Sequence, residues 1–492
     1  ISLQKLSLNA SSNFATSPYY NIYRAGYALL GTEEEGDDPL QFDGESVDTY
    51  ANTVVQDLFL LDVTHNEAES ALAMNVAMAF LGSLWNVLEN CKVDDRPEMN
   101  RALDEAAAFW VGANQVKGDG QTGYFFYNMA QFTGAKFNQD QGDAEVFVNE
   151  NVLASLSSMQ TNIASGTCAT DDGYKILRRQ VKVLVGHLNR VLIQMMIHRV
   201  QTVTPGKDSD FVELYALALL PQIASCNPDV YYRLIDLTIN NNVTPENQKD
   251  VIEALQSVYS CLHITCADVG AYEGSRVPAC NDSPTPLPTV AGYQPKNDIR
   301  KFSAMDRDIR QIRWMMKFGA FTAAKDWYEY GWNGIIPFGN IAKNNFLALI
   351  GTTEDFKAVA SYYGDEESVF DSIIQQIFDG ISPFSVATTD QRASMIDGFL
   401  KGPLMYLATT AVIEEALFTC QSGDTENTIK HWDEAVAFFV GSTEGTEPGG
   451  AISGPGDSIW GLGDMLCEYF SNCEPNDAQV NERLIDDFTG AA

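Results

Sequence analysis

Apolar residues recur along most of the chain at steps of three and four, the spacing that places them on one face of an α-helix. The clearest run comprises Leu177, Val181, Leu184, Leu188, Val191 and Met195. A similar run near residue 300 comprises Phe302, Met305, Ile309, Ile312 and Met316. No alternation of apolar and polar residues is long enough to indicate a β-strand. The pattern therefore predicts an all-α fold.

Breaks in this pattern divide the chain into four segments. Residues 1–18 are rich in Ser and Asn and are interpreted as a loose N-terminal arm, and residues 19–273 as a first helical domain. Five prolines between residues 274 and 298 predict a linker,. Residues 299–492 then form a second helical domain. We expect two tandem helical bundles, of which the second is the shorter.

Four further helices are predicted from apolar runs and from residues that start or stop helices. They cover residues 66–90, residues 210–225, a segment that starts at Thr244-Pro245, and residues 396–418.

One stretch occurs twice. Residues 91–112 read CKVDDRPEMNRALDEAAAFWVG, and residues 420–441 read CQSGDTENTIKHWDEAVAFFVG, with nine of 22 positions identical and no gap. Before each copy stands a Tyr-x-x-Gly element, at Tyr23 and at Tyr328. Similarity at this long period indicates two related domains rather than a solenoid. One of the differences removes a candidate ligand, because the first copy has Ala102 where the second has His431.

The second copy reads as a helix with Asp424 or Thr425 as N-cap and Gly441 as its stop,. His431 and Glu434 are three residues apart and leave the same face of this helix. An imidazole and a carboxylate so arranged can bind one hard or borderline metal ion. The alternative is a polar patch on an ordinary helix, because His-x-x-Glu is a short pattern.

Apolar residues on both sides of the same helix predict that it is covered on two faces. Ile429, Trp432, Val436 and Phe439 share one stripe, whereas Phe438 lies beside His431 and Glu434 on the other. Charged side chains on a covered face need partners.

The HWDEAVAFFVG string, the preceding Tyr-x-x-Gly element and the tandem arrangement resemble the Fe-assimilating proteins of algae, with which the diatom phytotransferrins belong. The His-x-x-Glu element is also similar to that of bacterial periplasmic iron proteins of the imelysin type, which are helical bundles. The resemblance implies ferric iron capture at the cell surface, with carbonate as a synergistic anion. Fe(III) is a hard cation that prefers phenolate, carboxylate and imidazole ligands. The ligands expected are His431, Glu434, Tyr328 and Asp433 in the second domain, and Tyr23, Asp104 and Glu105 in the first.

Charge bears on the partners of the protein. The chain has 31 basic and 66 acidic residues, a formal net charge of −35. Such a field repels nucleic acid and anionic lipid and attracts cations. Solubility in salty water is an equally good explanation of the same composition.

Cysteines and sequons favour an oxidising compartment. Nine cysteines leave at least one unpaired within a monomer, and two short disulfide loops are expected, one among Cys261, Cys266 and Cys280 and one between Cys467 and Cys473,. Sequons stand at Asn9, Asn242 and Asn281,. A cytosolic protein with buried thiols is the alternative. The chain begins at Ile1, so removal of a signal peptide is expected, and no apolar run is judged long enough to span a membrane.

We therefore expect a secreted, cell-surface or periplasmic protein, whose partners are ferric iron and a membrane anchor or surface receptor, with no nucleic acid. The oligomeric state is left open. No catalytic signature is found, so an enzyme is not expected. The alternative function is a structural or interaction protein of an acidic surface coat without a working metal site. His187 and His198, on one helix, are secondary candidates for metal ligands,.

Overall fold

The chain forms two compact units, residues 1–282 and residues 283–492. They are seen in a computed structural model that describes residues 14–31, 41–60, 67–113, 125–139, 146–203, 209–241, 243–343, 361, 369–447, 456–474 and 477–491. Helices make up most of the described chain, which confirms the all-α prediction. Most of the predicted arm, and the sequons at Asn9 and Asn242, lie outside the described residues.

The first unit is a bundle built around one long helix, α8. Its α-helices in chain order are α1 (Pro18–Leu30), α2 (Tyr50–Leu60), α3 (Glu67–Ala71), α4 (Ala77–Lys92), α5 (Arg96–Val111), α6 (Phe126–Lys136), α7 (Phe147–Ala164), α8 (Asp171–Thr202), α9 (Ser209–Ala224), α10 (Pro228–Ile235), α11 (Gln248–Ser257) and α12 (Cys266–Val269). The predicted apolar run lies on α8, and its residues Leu177, Val181, Leu184 and Leu188 are fully buried.

The second unit is a shorter bundle in which α14 packs against α15 and α18. Its α-helices are α13 (Arg300–Ser303), α14 (Met305–Lys317), α15 (Phe321–Tyr330), α16 (Phe338–Ala342), α17 (Val369–Asp379), α18 (Thr389–Phe399), α19 (Met405–Ser422), α20 (Thr425–Val440), α21 (Ile459–Phe470) and α22 (Gln479–Ala491). The predicted helical run from Phe302 is interrupted at Ala304, which separates α13 from α14.

Short elements complete the fold. Among the described residues, each unit has one antiparallel hairpin of two-residue strands, formed by β1 (Gln41–Phe42) with β2 (Glu45–Ser46) and by β3 (Cys473–Glu474) with β4 (Asp477–Ala478). The 3-10 turns are Val47–Thr49, Thr167–Ala169, Tyr259–Leu262 and Phe384–Val386, and the π-helical turns are Leu72–Val76, Asp236–Asn240 and Leu400–Leu404. The first and last π turns directly precede α4 and α19, so each of these helices follows a turn that is wider than an α-helical turn.

The two copies of the repeated stretch adopt the same local structure. α5 and α20 each have 16 residues, and each begins at an aspartate whose side chain accepts a hydrogen bond from the backbone N–H three residues on,. These caps are Asp95 and Asp424, so the prediction of Asp424 is confirmed. Each helix ends at a glycine with positive φ, 73° at Gly112 and 85° at Gly441, which glycine adopts without strain,. The relation between the whole domains stays a prediction.

One helical run corrects an expectation from the sequence. Residues 68–92, which include α4, are long and apolar enough to cross a membrane by length and composition,. The apolar window of this run is 94% buried inside the first unit. Its apolar surface therefore faces protein.

Other boundaries follow from local contacts. The predicted start at Thr244-Pro245 is displaced, because the Thr244 N–H donates to the Asn247 side chain at 2.8 Å and forms a turn, so that α11 begins at Gln248. Parts of the Pro-rich segment expected to be a linker are held in place. The Asp282 carboxylate accepts from the Cys266 N–H at 2.7 Å, and Tyr293 is buried.

Eight of the nine cysteines form disulfides, as expected for an oxidising compartment. The short loops Cys266–Cys280 and Cys467–Cys473 confirm two predictions, whereas Cys261 pairs with Cys226. The fourth bridge is Cys91–Cys168, and Cys420 is free and exposed.

Candidate functional site

The candidate site lies on α20, where His431 and Glu434 form a pair. The His431 Nδ1 and Glu434 Oε2 atoms are 3.0 Å apart, and the side chains are 15% and 9% exposed. Their spacing of three residues brings them together along one helix face, as the sequence predicted. The pair is therefore partly shielded from water and still reachable from it.

Packing on both sides holds this helix in position. Residues 433–440 are all buried. Phe438 meets Phe302 on one side at a ring separation of 5.7 Å, and Phe439 meets Trp460 on another at 5.8 Å. The Trp432 indole N–H donates to the Phe488 carbonyl at 3.0 Å. The expectation that the helix is covered on two faces is confirmed for its C-terminal half.

A lysine that the sequence analysis did not single out completes the local charges. The Lys430 ammonium is 3.9 Å from Glu434 Oε1, and its side chain is about half exposed. The signal was present in the sequence, because Lys430 and Glu434 are four residues apart on a helix. Lys430 offsets the carboxylate charge beside His431.

Asp433, predicted as a fourth ligand, is fully buried and has partners for both oxygens. It accepts hydrogen bonds from the Tyr293 hydroxyl at 2.7 Å and from the Asn297 N–H and the Lys296 N–H at 2.7 and 3.0 Å. The Asn297 side-chain amide adds a fourth at 2.8 Å. In this arrangement Asp433 anchors the segment that precedes α13 to α20.

Tyr328, the predicted phenolate ligand, lies on α15 and is fully buried. Its hydroxyl donates to Asp371 Oδ1 of α17 at 2.8 Å. Burial raises the pKa of Tyr328 well above its usual value, and the charge of Asp371 adds to the effect,. Tyr328 is thus a neutral hydrogen-bond donor here, and its described contacts do not include His431 or Glu434.

Tyr23, its counterpart in the first unit, is also buried. Its hydroxyl donates to the Ala218 carbonyl at 2.6 Å and accepts from the Gln222 side chain at 3.0 Å. Burial raises the pKa of Tyr23, although the hydrogen bond from Gln222 works in the opposite direction,. The Tyr23 hydroxyl therefore uses both its proton and a lone pair in hydrogen bonds between α1 and α9.

The acidic pair of the first unit lies on α5. Asp104 is exposed, and Glu105 forms an ion pair with Arg101 at 2.6 Å. Ala102, at the position of His431, is buried. This face of α5 therefore carries two carboxylates and no imidazole.

Of the seven predicted ligands, His431 and Glu434 are the two that the described contacts bring together. Within the described ranges, no group of three or more His, Cys, Asp or Glu side chains is arranged to hold a metal ion. His198 contacts the Tyr272 hydroxyl at 3.0 Å, and burial lowers the pKa of both His187 and His198 to about 4.

Comparison with known proteins gives no match, whether with protein-family models, with curated proteins or with solved structures. The resemblance to algal iron-assimilating proteins therefore depends on the motif residues alone.

Proposed function

We propose that the protein binds ferric iron through His431 and Glu434 and serves iron acquisition outside the cell or at its surface. The observation that carries the proposal is the 3.0 Å separation of His431 Nδ1 and Glu434 Oε2. Two adjacent ligands of an octahedral ion, each about 2.1 Å from it, are about 3.0 Å apart. The pair thus already has the separation that one ion requires, without a change of helix geometry.

The surroundings of the pair support a hard cation. Glu434 supplies an anionic oxygen and His431 a nitrogen, both of which suit Fe(III). The net charge of −35 favours the approach of any cation from solution,. Four disulfides fit an oxidising compartment such as the cell exterior, and the sequon residue Asn281 is exposed,.

Two protein ligands leave further coordination positions of the ion to solvent or to an anion. Carbonate is proposed for one of them, and the support is the family resemblance. Asp433, Tyr328, Tyr23 and Glu105 stay ligands that the resemblance predicts, and the proposal itself depends on His431 and Glu434 alone. As placed, each of these four would first have to release its present partner, whereas Asp104 is exposed.

Ferric titration by calorimetry, with iron supplied as its nitrilotriacetate complex, tests the proposal. His431→Ala and Glu434→Gln each remove one ligand, and we expect each to weaken binding by about tenfold or more, the scale of losing one strong ionic contact. Glu253→Gln is the matched control, since it changes an exposed glutamate on α11 that is not a predicted ligand. Repeating the titration with and without bicarbonate tests the anion.

Each outcome decides between two functions. Loss of affinity in both α20 variants with an unchanged control supports iron capture at the pair. Equal affinity in all proteins removes His431 and Glu434 from the site. Failure of the wild-type protein to take up iron favours the coat protein without a metal site.

A further inference from the structure

The second unit contains a cavity of about 670 Å³ that is partly open to solvent. It opens between α14, α18 with the π turn that follows, and the first turns of α21. Three cationic side chains line it: Arg313, Lys317 and Lys401. A volume of this size matches sites for small organic molecules rather than for single ions.

An internal carboxylate organises these cations. Asp457 is buried and accepts hydrogen bonds from Arg310 Nε at 2.6 Å and Arg313 Nη1 at 2.7 Å, and the Lys401 ammonium is 2.8 Å away. Burial alone would raise the pKa of Asp457, but the three cations hold it well below its usual range,. Asp397 lies 3.2 Å from both Arg313 and Lys401.

The charges around the cavity do not cancel. Arg310, Arg313 and Lys401 carry three positive charges against two on Asp457 and Asp397, while Lys317 and Asp390 offset each other. The cavity lining itself is balanced, with three cations and three carboxylates, and the buried Arg310 behind Asp457 gives the cluster as a whole a net charge of +1 within a chain of net charge −35. A local excess of positive charge in an acidic protein favours a singly charged anion at this place.

The cations retain unused donors. Arg313 bonds its carboxylates through Nη1, which leaves Nε and Nη2 without a partner among the described residues. Lys317 also lines the cavity, and it forms no ion pair with another described residue. The Arg313 side chain is 35% exposed. Guanidinium donors in this position can bind a carboxylate through two parallel hydrogen bonds.

A second wall of the cavity is apolar. Ala393, Leu462 and Met465 contribute carbon atoms, and Gly398 leaves open space, since an added Cβ there meets nothing within 4 Å. A ligand with a charged head and an apolar body would have a surface for each part.

The first unit also has a cavity, and its chemistry is different. It measures about 330 Å³ and is lined by Ala68, Glu69 and Leu72 with residues of α6 and α8. Continuing the ungapped alignment backward places Leu72 at the position of Lys401. Its arginine, Arg199, donates twice to Glu69, at 2.8 and 2.6 Å. The lining of this cavity thus has one cation, which is paired with Glu69, whereas the lining of the cavity in the second unit has three.

We propose that the cavity of the second unit binds a small organic monocarboxylate, with the carboxylate at Arg313 and Lys317 and the apolar body against Leu462 and Met465. A phosphate dianion fits less well, because Asp390, Asp397 and Asp457 line the cavity beside the cations and balance their charge,. This site is separate from the His431–Glu434 pair and does not depend on the binding of iron.

Fluorine NMR with 4-fluorobenzoate as the probe tests the proposal on the full chain. The neutral 4-fluorobenzyl alcohol has the same apolar body without the charge. We expect line broadening that saturates for the benzoate and binding at least about tenfold weaker for the alcohol, since a charge-assisted pair is lost. Inorganic phosphate should compete poorly.

Two variants locate the site. Lys317→Gln should weaken benzoate binding several-fold, and Gly398→Leu should abolish it by filling the cavity. Matched controls are Lys249→Gln, which removes an exposed lysine, and Gly490→Leu, at another helical glycine with open space around it. Circular dichroism confirms that each variant is folded.

Unchanged benzoate binding in Gly398→Leu, or equal binding of the benzoate and the alcohol, would overturn the proposal. So would an absence of benzoate binding by the wild-type protein, or phosphate binding more tightly than benzoate. Ferric titration of Gly398→Leu should match wild type, which separates failure of this proposal from failure of the iron proposal.

Discussion

The Asp433 carboxylate accepts a 2.7 Å hydrogen bond from the Tyr293 hydroxyl, and both side chains are buried. The two residues are 140 positions apart in the sequence. Their contact joins the segment before α13 to the middle of α20, next to the His431–Glu434 pair. The structure thus gives the two neighbouring acids of the repeated motif different surroundings, with Asp433 inside the core and Glu434 at its edge.

Replacing Asp433 by Ala should destabilise the second unit by about 3 kcal/mol or more, because several buried donors lose their acceptor at once. Urea unfolding followed by circular dichroism measures the change. Asp104→Ala, the aligned substitution at an exposed position, is the control and should change the stability by less than about 0.5 kcal/mol. Similar effects of the two substitutions would show that the Asp433 contacts contribute little.

Replacing Lys430 by Gln should strengthen ferric binding several-fold, because it removes a positive charge that lies 3.9 Å from Glu434,. The gain should shrink as salt is added, since the lysine is about half exposed,. Calorimetric titration at two ionic strengths checks both statements. Arg101→Gln, at the aligned position on α5, should leave the affinity unchanged. An unchanged affinity in Lys430→Gln would place the ion elsewhere.

Replacing Tyr328 by Phe should cost about 1–2 kcal/mol, because the buried Asp371 carboxylate loses a donor. It should not change the visible spectrum of the iron-loaded protein, since burial raises the pKa of Tyr328 and its hydroxyl already donates to Asp371. Difference spectra of wild type and variant with ferric nitrilotriacetate test this. A visible band that the variant lacks would instead establish Tyr328 as a ligand.

Stability should fall as the pH decreases from about 6.5 to about 4. Burial, with Arg190 nearby, lowers the pKa of His187 to about 4, and burial with Arg199 and Lys136 does the same for His198. The unfolded chain then binds more protons than the folded chain within this range, so acid favours unfolding. His187 alone should contribute on the order of 2 kcal/mol.

Urea titrations at pH 7, 5.5 and 4 measure this dependence. His187→Gln lacks the ionisable group and should show a flatter profile over the same range. An equally steep profile in the variant would assign the effect to other groups.

A single thiol should react when the protein is denatured without reductant, because Cys420 is the one cysteine outside the four disulfides. Titration with a thiol reagent counts it, and Cys420→Ser should reduce the count to zero without loss of stability. Cys91→Ser, at the aligned position, should instead cost about 4 kcal/mol, since it opens a bridge between residues 77 apart,. Eight or nine reactive thiols would contradict the oxidising compartment.

Features set by neighbouring residues were predictable from the sequence. The cap at Asp424, the stop at Gly441 and the proximity of His431 and Glu434 all follow from spacing within one helix. Short disulfide loops such as Cys467–Cys473 follow from the same local logic, as does the apolar face of α8.

Features that join distant parts of the chain were not predictable. No period or spacing indicates that Asp433 meets Tyr293, that Tyr328 donates to Asp371, or that Cys91 pairs with Cys168. Each depends on how helices pack, which a single sequence does not report. The Asp457 cluster was missed for this reason, since its cations come from α14 and from the π turn Leu400–Leu404, both of which lie far before it in the sequence.

The disulfides are unevenly distributed, with three in the first unit and one, closing a six-residue separation, in the second. Longer closed loops restrict the unfolded chain more strongly. A reducing environment would consequently lower the melting temperature of the first unit much more than that of the second. Redox conditions thus act mainly on the first unit, and the half that carries His431 would lose less of its stability on reduction.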